Sequence, residues 1–274
     1  MKKKNICLAL FIAAAMFTIL YLGGCEKSLT SEPTGESEFR NPYNNVGIVH
    51  NKAFEYVLDR FNSDLKDNLI KEDSLNLNRS MFDYCEEYLS KLEYDHGNQL
   101  RHKMDDSYFN NFLKLKKIEN NNLKPEQQFY VDKINYLIES ISDIKILGKE
   151  INNLEKDANT KLAEKDAIPI LCMSSVALNS KIFWKNNFSK WYDNIKNSKA
   201  IFKLNKILLV EESIASRLAK ADAAGALAGA IAAVALGQFE AVLGMAIDGA
   251  IYATAAEAII IAFELIKQAL DISL

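Results

Sequence analysis

Three histidines, His50, His96 and His102, are the whole imidazole complement of this chain. Glu93 and His96 form an ExxH step, which sets a carboxylate and an imidazole on one helical face, as di-iron sites in helical bundles require. Such sites also need a second ExxH and two further Glu from other helices, and no second ExxH occurs. His102 and Asp106, four residues apart, could chelate one ion. The simpler reading of both pairs is polar residues on a solvated helical linker. No HExxH, phosphate-binding loop or GxSxG is present. With three His and many Ser, a Ser-His-Asp arrangement has no spacing to rest on. The expectation is therefore no catalytic residue, no metal, no cofactor and no enzymatic activity.

Cysteine chemistry is more specific. Of the four Cys, Cys7 lies in an apolar run, Cys25 ends it, and Cys85 and Cys172 lie further on. Outside the cytoplasm Cys85 and Cys172 can pair. Each also sits at an apolar helical position, so two small buried hydrophobes are an equal alternative. The setting of Cys25 is a different matter. Lys2, Lys3 and Lys4 make a positive start, Ile6 to Leu22 carry no charge, and Leu22-Gly23-Gly24-Cys25 closes the run. Charged start, apolar run and small residues before a break define an export signal. This stretch resembles the precursors of bacterial lipoproteins, whose lipobox is an aliphatic residue, two small residues and Cys. The resemblance implies lipid on Cys25 and removal of residues 1–24. The alternative is an uncleaved N-terminal anchor. Two or three acyl chains hold a protein stably on a membrane. The resemblance thus implies the cell envelope: with Glu26 after the Cys, the outer membrane of a Gram-negative cell, or the outer face of the plasma membrane of a Gram-positive one.

The elements behind these residues read as helical. The 274 residues are 49% hydrophobic and 25% charged, with net charge −3, which becomes −6 once Lys2, Lys3 and Lys4 are gone. That composition supports a packed core and argues against disorder and against a nucleic-acid partner. Between His50 and Ala219 the turn formers are Gly97, Gly148, Pro125 and Pro169 alone, too few for a β-sandwich or barrel. Glu26 to Asn45, rich in Ser, Thr, Glu and Asn, reads as a tether. Phe54, Val57, Leu58, Phe61 and Leu65 share one helical face, as do Phe82, Cys85, Leu89 and Leu92. Asn120-Asn121-Asn122 predicts a loop, and Pro125 a first helical position. Tyr130, Ile134, Leu137, Ile141, Ile144, Leu147, Ile151, Leu154 and Ala158 predict one long helix, or two in line, with Gly148 the interruption. Pro169 should end it, followed by helices over 170–184 and 201–217. Lys181 to Lys206 interleaves seven Lys with Phe183, Trp184, Phe188, Trp191, Tyr192 and Phe202. The stripe Trp184, Phe188, Trp191, Ile195 predicts a core face with solvated Lys opposite.

The C-terminal segment differs in kind. Residues 223–239 are uncharged, and Ala221, Gly225, Gly229, Ala233, Gly237 and Ala241 recur every fourth residue. On one helix they make a groove without bulk, against which another backbone can lie closely. The segment resembles the glycine-zipper hydrophobic regions of pore-forming bacteriocins. Two readings follow: a buried helical hairpin docked on the bundle, or a membrane-inserting or self-associating element. The organisation predicted is all-α: signal peptide 1–24, lipidated tether 25–49, extended helical bundle 50–217 with a long helical hairpin, and Gly/Ala-rich hairpin 218–274. The predicted role is a lipid-anchored envelope protein with structural, binding or surface-interaction work. The alternative is a membrane-active protein working through residues 220–271. Its partners would be the membrane, through lipid, and a protein partner or second copy, through the C-terminal segment.

Overall fold

Six α-helices dominate the computed structural model, which describes residues 39–66, 83–90, 123–197 and 211–271. They are α1 (Asn44–Lys66), α2 (Pro125–Ser140), α3 (Ile144–Lys161), α4 (Glu164–Asn197), α5 (Glu211–Ala235) and α6 (Val242–Asp271), with a 3-10 turn at Phe239–Ala241 before α6. Residues 83–90 are also helical. Among the described residues 90% are helical and none is in a strand, so the protein is an all-α bundle.

Local chemistry sets the helix limits. Pro125 opens α2, where a missing N–H costs nothing. The Lys124 N–H donates to Gln127 Oε1 at 3.1 Å, so the third helical residue reaches back to the residue before the helix. Asp143 caps α3 by accepting from the N–H groups of Lys145 at 2.8 Å and Ile146 at 3.2 Å. These backbone bonds also hold the Asp143 carboxyl below its ordinary range.

The long apolar pattern 130–158 is thus two helices. The break falls at 141–143, where a capping Asp is available, and not at Gly148, which lies inside α3. Pro169 does not end a helix either. The chain breaks earlier, at Leu162 and Ala163, and α4 runs through Pro169 to Asn197, past the expected end at Trp184. Similarly, α5 passes Arg217 and runs unbroken across the expected boundary at 217/218. The body also starts before residue 50, since α1 begins at Asn44. His96, His102, Asp106, Asn120 to Asn122, residues 198–210 and the N-terminal segment through Cys25 lie outside the described residues.

The 34-residue α4 is the spine. One of its faces, with Ile168, Cys172, Val176, Trp184, Phe188 and Trp191, joins a core shared with α1, residues 83–90, α5 and α6. Another, with Ile170, Met173 and Ala177, joins a second core built on α2, α3 and α5. Trp184, Phe188 and Trp191 of the predicted stripe are accordingly buried: Phe54 meets Trp184 edge-on at 5.1 Å, and Trp184 meets Trp191 at 5.9 Å. Lys185 and Lys190 are exposed as expected, but Lys181 is buried with its ammonium on Ser216.

The small residues do not form one stripe of six. Ala221, Gly225, Gly229 and Ala233 lie on α5. Gly237 lies past the helix end at φ +69, a left-handed position that glycine takes without strain. Its N–H donates to Val234 C=O at 3.0 Å and that of Gln238 to Ala233 C=O at 2.9 Å, the pairing that closes a helix on a glycine. Ala241 belongs to the returning turn. The chain then doubles back, and α6 covers α5 at backbone contact. A Cβ on Gly225 would overlap the Gly249 carbonyl oxygen and lie 2.7 Å from Ala253 Cβ; one on Gly229 would overlap the Met245 carbonyl oxygen. The reciprocal substitution at Gly249 would strike the Gly225 carbonyl.

Gly225→Ala and Gly229→Leu should each destabilise by about 1–3 kcal/mol, because backbone cannot move aside as a side chain can. Gly148→Ala should instead stabilise by about 0.5–1 kcal/mol, since its Cβ would meet open space and Ala is the better helix former. Leu227→Ala, a core truncation of about 2–5 kcal/mol, calibrates the scale. Urea midpoints of the four variants check the opposite signs.

Candidate functional site

The chemistry-bearing side chains meet where α1, α4, α5 and α6 adjoin. Asp222 on α5 is fully buried, although it is charged in water and sits one turn before Gly225. Its Oδ2 accepts from the Ser180 hydroxyl and, at 3.2 Å, from the Trp184 indole N–H, both on α4. Its Oδ1 meets the Thr254 hydroxyl of α6. His50 of α1 completes the cluster, its Nε2 3.0 Å from Thr254 Oγ1 and 3.7 Å from Asp222 Oδ2. The other imidazole nitrogen, Nδ1, lies 3.2 Å from Asn51 Oδ1, and the Asn51 amide donates onward to the Asn179 carbonyl at 2.9 Å. His50, Ser180, Asp222 and Thr254 are all wholly enclosed.

Proton accounting decides the charge state. Asn51 uses its N–H on Asn179, so its oxygen faces His50, and Nδ1 must carry a proton. One further proton then lies along the line Asp222–Thr254–His50. It sits either on Nε2, giving an imidazolium and a carboxylate, or on the carboxyl, giving a neutral acid that donates to Thr254, which in turn donates to a neutral imidazole. Burial pushes the Asp222 carboxyl up and the His50 imidazole down, so both groups favour the neutral pair. The second arrangement satisfies every polar group without two charges in a dry core. The Ala250 carbonyl, 2.9 Å from Thr254 Oγ1, offers that hydroxyl an additional acceptor within its own helix.

A second buried carboxyl ties the start of α1 to the spine. Glu155 of α3 accepts from Asn41 Nδ2 and from Ser174 Oγ, each at 2.6 Å, while Asn41 also donates to the Leu171 carbonyl at 2.8 Å. Burial raises the Glu155 carboxyl too. Beside it the Gly47 N–H in the first turn of α1 donates to Ser175 Oγ at 3.1 Å, and Ser175 donates to the Asn44 carbonyl at 2.9 Å. Three further polar bonds join the outer elements: Arg217 with Glu257 between α5 and α6, the Tyr252 hydroxyl with Glu86, and Ser216 with the Ile138 carbonyl. Each polar node joins helices distant in sequence.

The possible disulfide between Cys85 and Cys172 is corrected by the structure: both are free, buried thiols in the same apolar core. Burial pushes both thiols up. No group of three or more His, Cys, Asp or Glu that could hold a metal occurs among the described residues. Sequence reasoning did not single out Asp222 or Thr254. The available signal was an acid flanked by Ala on a small-residue helix, which reads equally well as a helix-end charge. No family profile, curated protein or solved structure matches the chain.

Asp222→Ala strips two buried donors, Ser180 and Trp184, of their acceptor and Thr254 of its partner, and should cost about 3–5 kcal/mol. Asp222→Asn mimics the protonated acid and should cost within about 1 kcal/mol. For the wild type, the raised Asp222 keeps its proton in the folded chain above 3.8, its ordinary value, so its contribution to stability falls as pH rises from there. The lowered His50 takes its proton first in the unfolded chain, so its contribution falls as pH drops below 6.5, its ordinary value. The two slopes oppose one another. Asp222→Asn should remove the first and leave the second, so the stability of the variant should fall more steeply than that of the wild type as the pH drops below 6.5. Denaturant midpoints taken from pH 3 to 9 read both curves. In the same native protein Cys85 and Cys172 should resist iodoacetamide and react only after denaturation, as mass spectrometry would register.

Proposed function

We propose that this chain is a lipid-anchored cell-envelope protein with a structural, binding or surface-interaction role rather than a catalytic one. The anchor is lipid on Cys25, the segment after it is a tether, and the helical bundle is the working body held at the membrane surface. What carries this reading is the way the body uses its apolar and polar material. Three helical segments, Glu164–Trp191, Ser213–Ala235 and Phe239–Ala258, are long and apolar enough to cross a membrane. Within their most apolar windows 83%, 56% and 78% of residues are buried against the rest of the body. Apolar surface already covered by protein gains nothing further from lipid. A body of this kind needs a separate attachment to stay at a membrane, and the lipobox supplies one. Likewise His50, Asp222 and Ser180, the side chains with catalytic potential, are committed to one another inside the core, which supports an architectural use of them.

A second reading has observations of its own. The α5–α6 hairpin is the most apolar part of the body, and its turn exposes Leu236 and Phe239. A membrane-active protein would use such a hairpin as its inserting element. It would carry Asp222, Asp248 and Glu257, each buried in the fold, into the lipid. A central acid costs about 3 kcal/mol on insertion scales. That cost favours the first reading.

Metabolic labelling with a fatty acid should mark the wild-type chain and not Cys25→Ala, and the variant should appear as an unprocessed or mislocalised precursor. Equal labelling of the two would remove the anchor from the proposal. The purified full chain added to dye-loaded liposomes should leave them sealed. Leakage abolished by Gly229→Leu would move the function to the hairpin.

A further inference from the structure

We propose that the turn of the α5–α6 hairpin is a membrane-contact site, at which Leu236 and Phe239 seat in the outer layer of a bilayer while the bundle stays folded. This rests on the anchored reading above and gives the anchored body an orientation. Residues 235–240 are all exposed. Leu236, at 66%, is the most exposed large apolar side chain among the described residues, and Phe239, at 54%, follows three positions later. From Ala223 to Phe239 the chain carries no charge, so nothing in the turn before Glu240 opposes contact with lipid.

The end of the bundle at which the turn lies identifies what it faces. Helix α1 runs parallel to α4, since Gly47 meets Ser175, Asn51 meets Asn179 and Phe54 meets Trp184. Helix α5 runs the other way. Asp222 lies beside Ser180, and the core around Ile170 and Met173 takes Leu227 from further along α5. The end of α5 therefore points toward the start of α4, and at 1.5 Å per residue Leu236 stands about 21 Å beyond Asp222 in that direction. Asn41, at the start of the described body, is bonded to the Leu171 carbonyl, about 13 Å from Ser180 in the same direction. The turn thus projects past the end of the bundle at which the chain from Cys25 enters. Residues 26–38 between Cys25 and Phe39 span no more than about 50 Å. An anchor at Cys25 therefore ties this end to the bilayer, and the exposed apolar turn lies on it. Two side chains bind lipid weakly by themselves, but a tethered contact acts at high effective concentration. Attraction of anionic lipid plays no part: Lys124 and Lys161 at this end are paired with Asp166 and Asp157, and Arg40 and Lys165 stand against Glu164 and Glu240.

The test uses the full chain, purified in detergent and reconstituted into dye-loaded phosphatidylcholine vesicles. Phe239→Trp places a reporter at the turn. Lys190→Trp places one at an exposed position of α4, about 36 Å away along the bundle. Trp184 and Trp191 are buried and supply the same background in every variant. Phosphatidylcholine brominated near the headgroup end of its acyl chains should quench Phe239→Trp, and more strongly than lipid brominated near the chain ends. Lys190→Trp should be quenched no more than the wild type, and the dye should stay inside. Adding Leu236→Ser to Phe239→Trp should weaken the docking equilibrium about tenfold, for the loss of one apolar side chain. Exchanging part of the lipid for phosphatidylglycerol, or raising the salt, should change nothing. If Phe239→Trp is not quenched in chains that float with the vesicles, the contact is overturned and the anchored reading stands. If the chains do not float, the anchored reading and the contact fall together. Equal quenching at positions 190 and 239 overturns the orientation. Dye release with stronger quenching from the chain ends overturns docking in favour of insertion.

Discussion

A carboxyl with no access to water organises this bundle. Asp222 is reached by a hydroxyl and an indole from α4 and by a hydroxyl from α6, with an imidazole from α1 behind it. An isolated buried carboxyl is so unfavourable that it remains only where its partners are all present. The four helices must therefore arrive in one register, or the core holds an unsatisfied acid. Apolar packing alone tolerates many near-equivalent arrangements of Ala, Leu and Ile. A polar node that only one arrangement satisfies is a means of selecting among them.

The node in turn depends on how closely α5 and α6 approach. Thr254 is a short side chain, and it reaches Asp222 because Gly225 and Gly249 allow the two backbones to touch. The same device recurs at the other end of the fold, where Gly47 lets α1 lie on α4 and its amide find Ser175. Small residues here serve polar contacts as much as apolar ones. By removing bulk they bring hydroxyls and amides on separate helices within hydrogen-bond length. The 34-residue α4 collects these contacts and, like α5, presents different faces to two cores, so these two helices join them.

In this arrangement helices apolar enough to cross a membrane pack against one another. Three segments satisfy the length and composition of a membrane helix, yet their apolar faces are turned on one another. Among the described residues the exposed large apolar side chains are scattered, at Ile48, Phe129, Tyr136 and Ile146, with Leu236 and Phe239 at the hairpin turn. Buried acids on α5 and α6 add a barrier to leaving the protein core for lipid.

The sequence by itself determined the fold class, because spacing of three and four among Phe54, Val57, Leu58 and Phe61, or Tyr130, Ile134 and Leu137, is a local property of a helix. It also marked Pro125 as a helix start and the small residues of α5 as a face without bulk. Helix limits were only partly legible. Gly148 and Pro169 looked like breaks, but side-chain capping by Asp143 and the glycine closure at Gly237 decided where helices end, and those depend on bonds made after folding. Lys181 read as a solvated charge, since nothing local distinguishes it from Lys185. Its burial follows from Ser216 and Ile138 arriving from other helices. The Asp222 cluster was beyond any local pattern. Its members stand at positions 50, 180, 222 and 254, and a hydrogen bond between residues some 200 positions apart leaves no trace in spacing. Periodicity reports which face of a helix is apolar; only tertiary packing chooses which faces meet, and so which polar groups find one another.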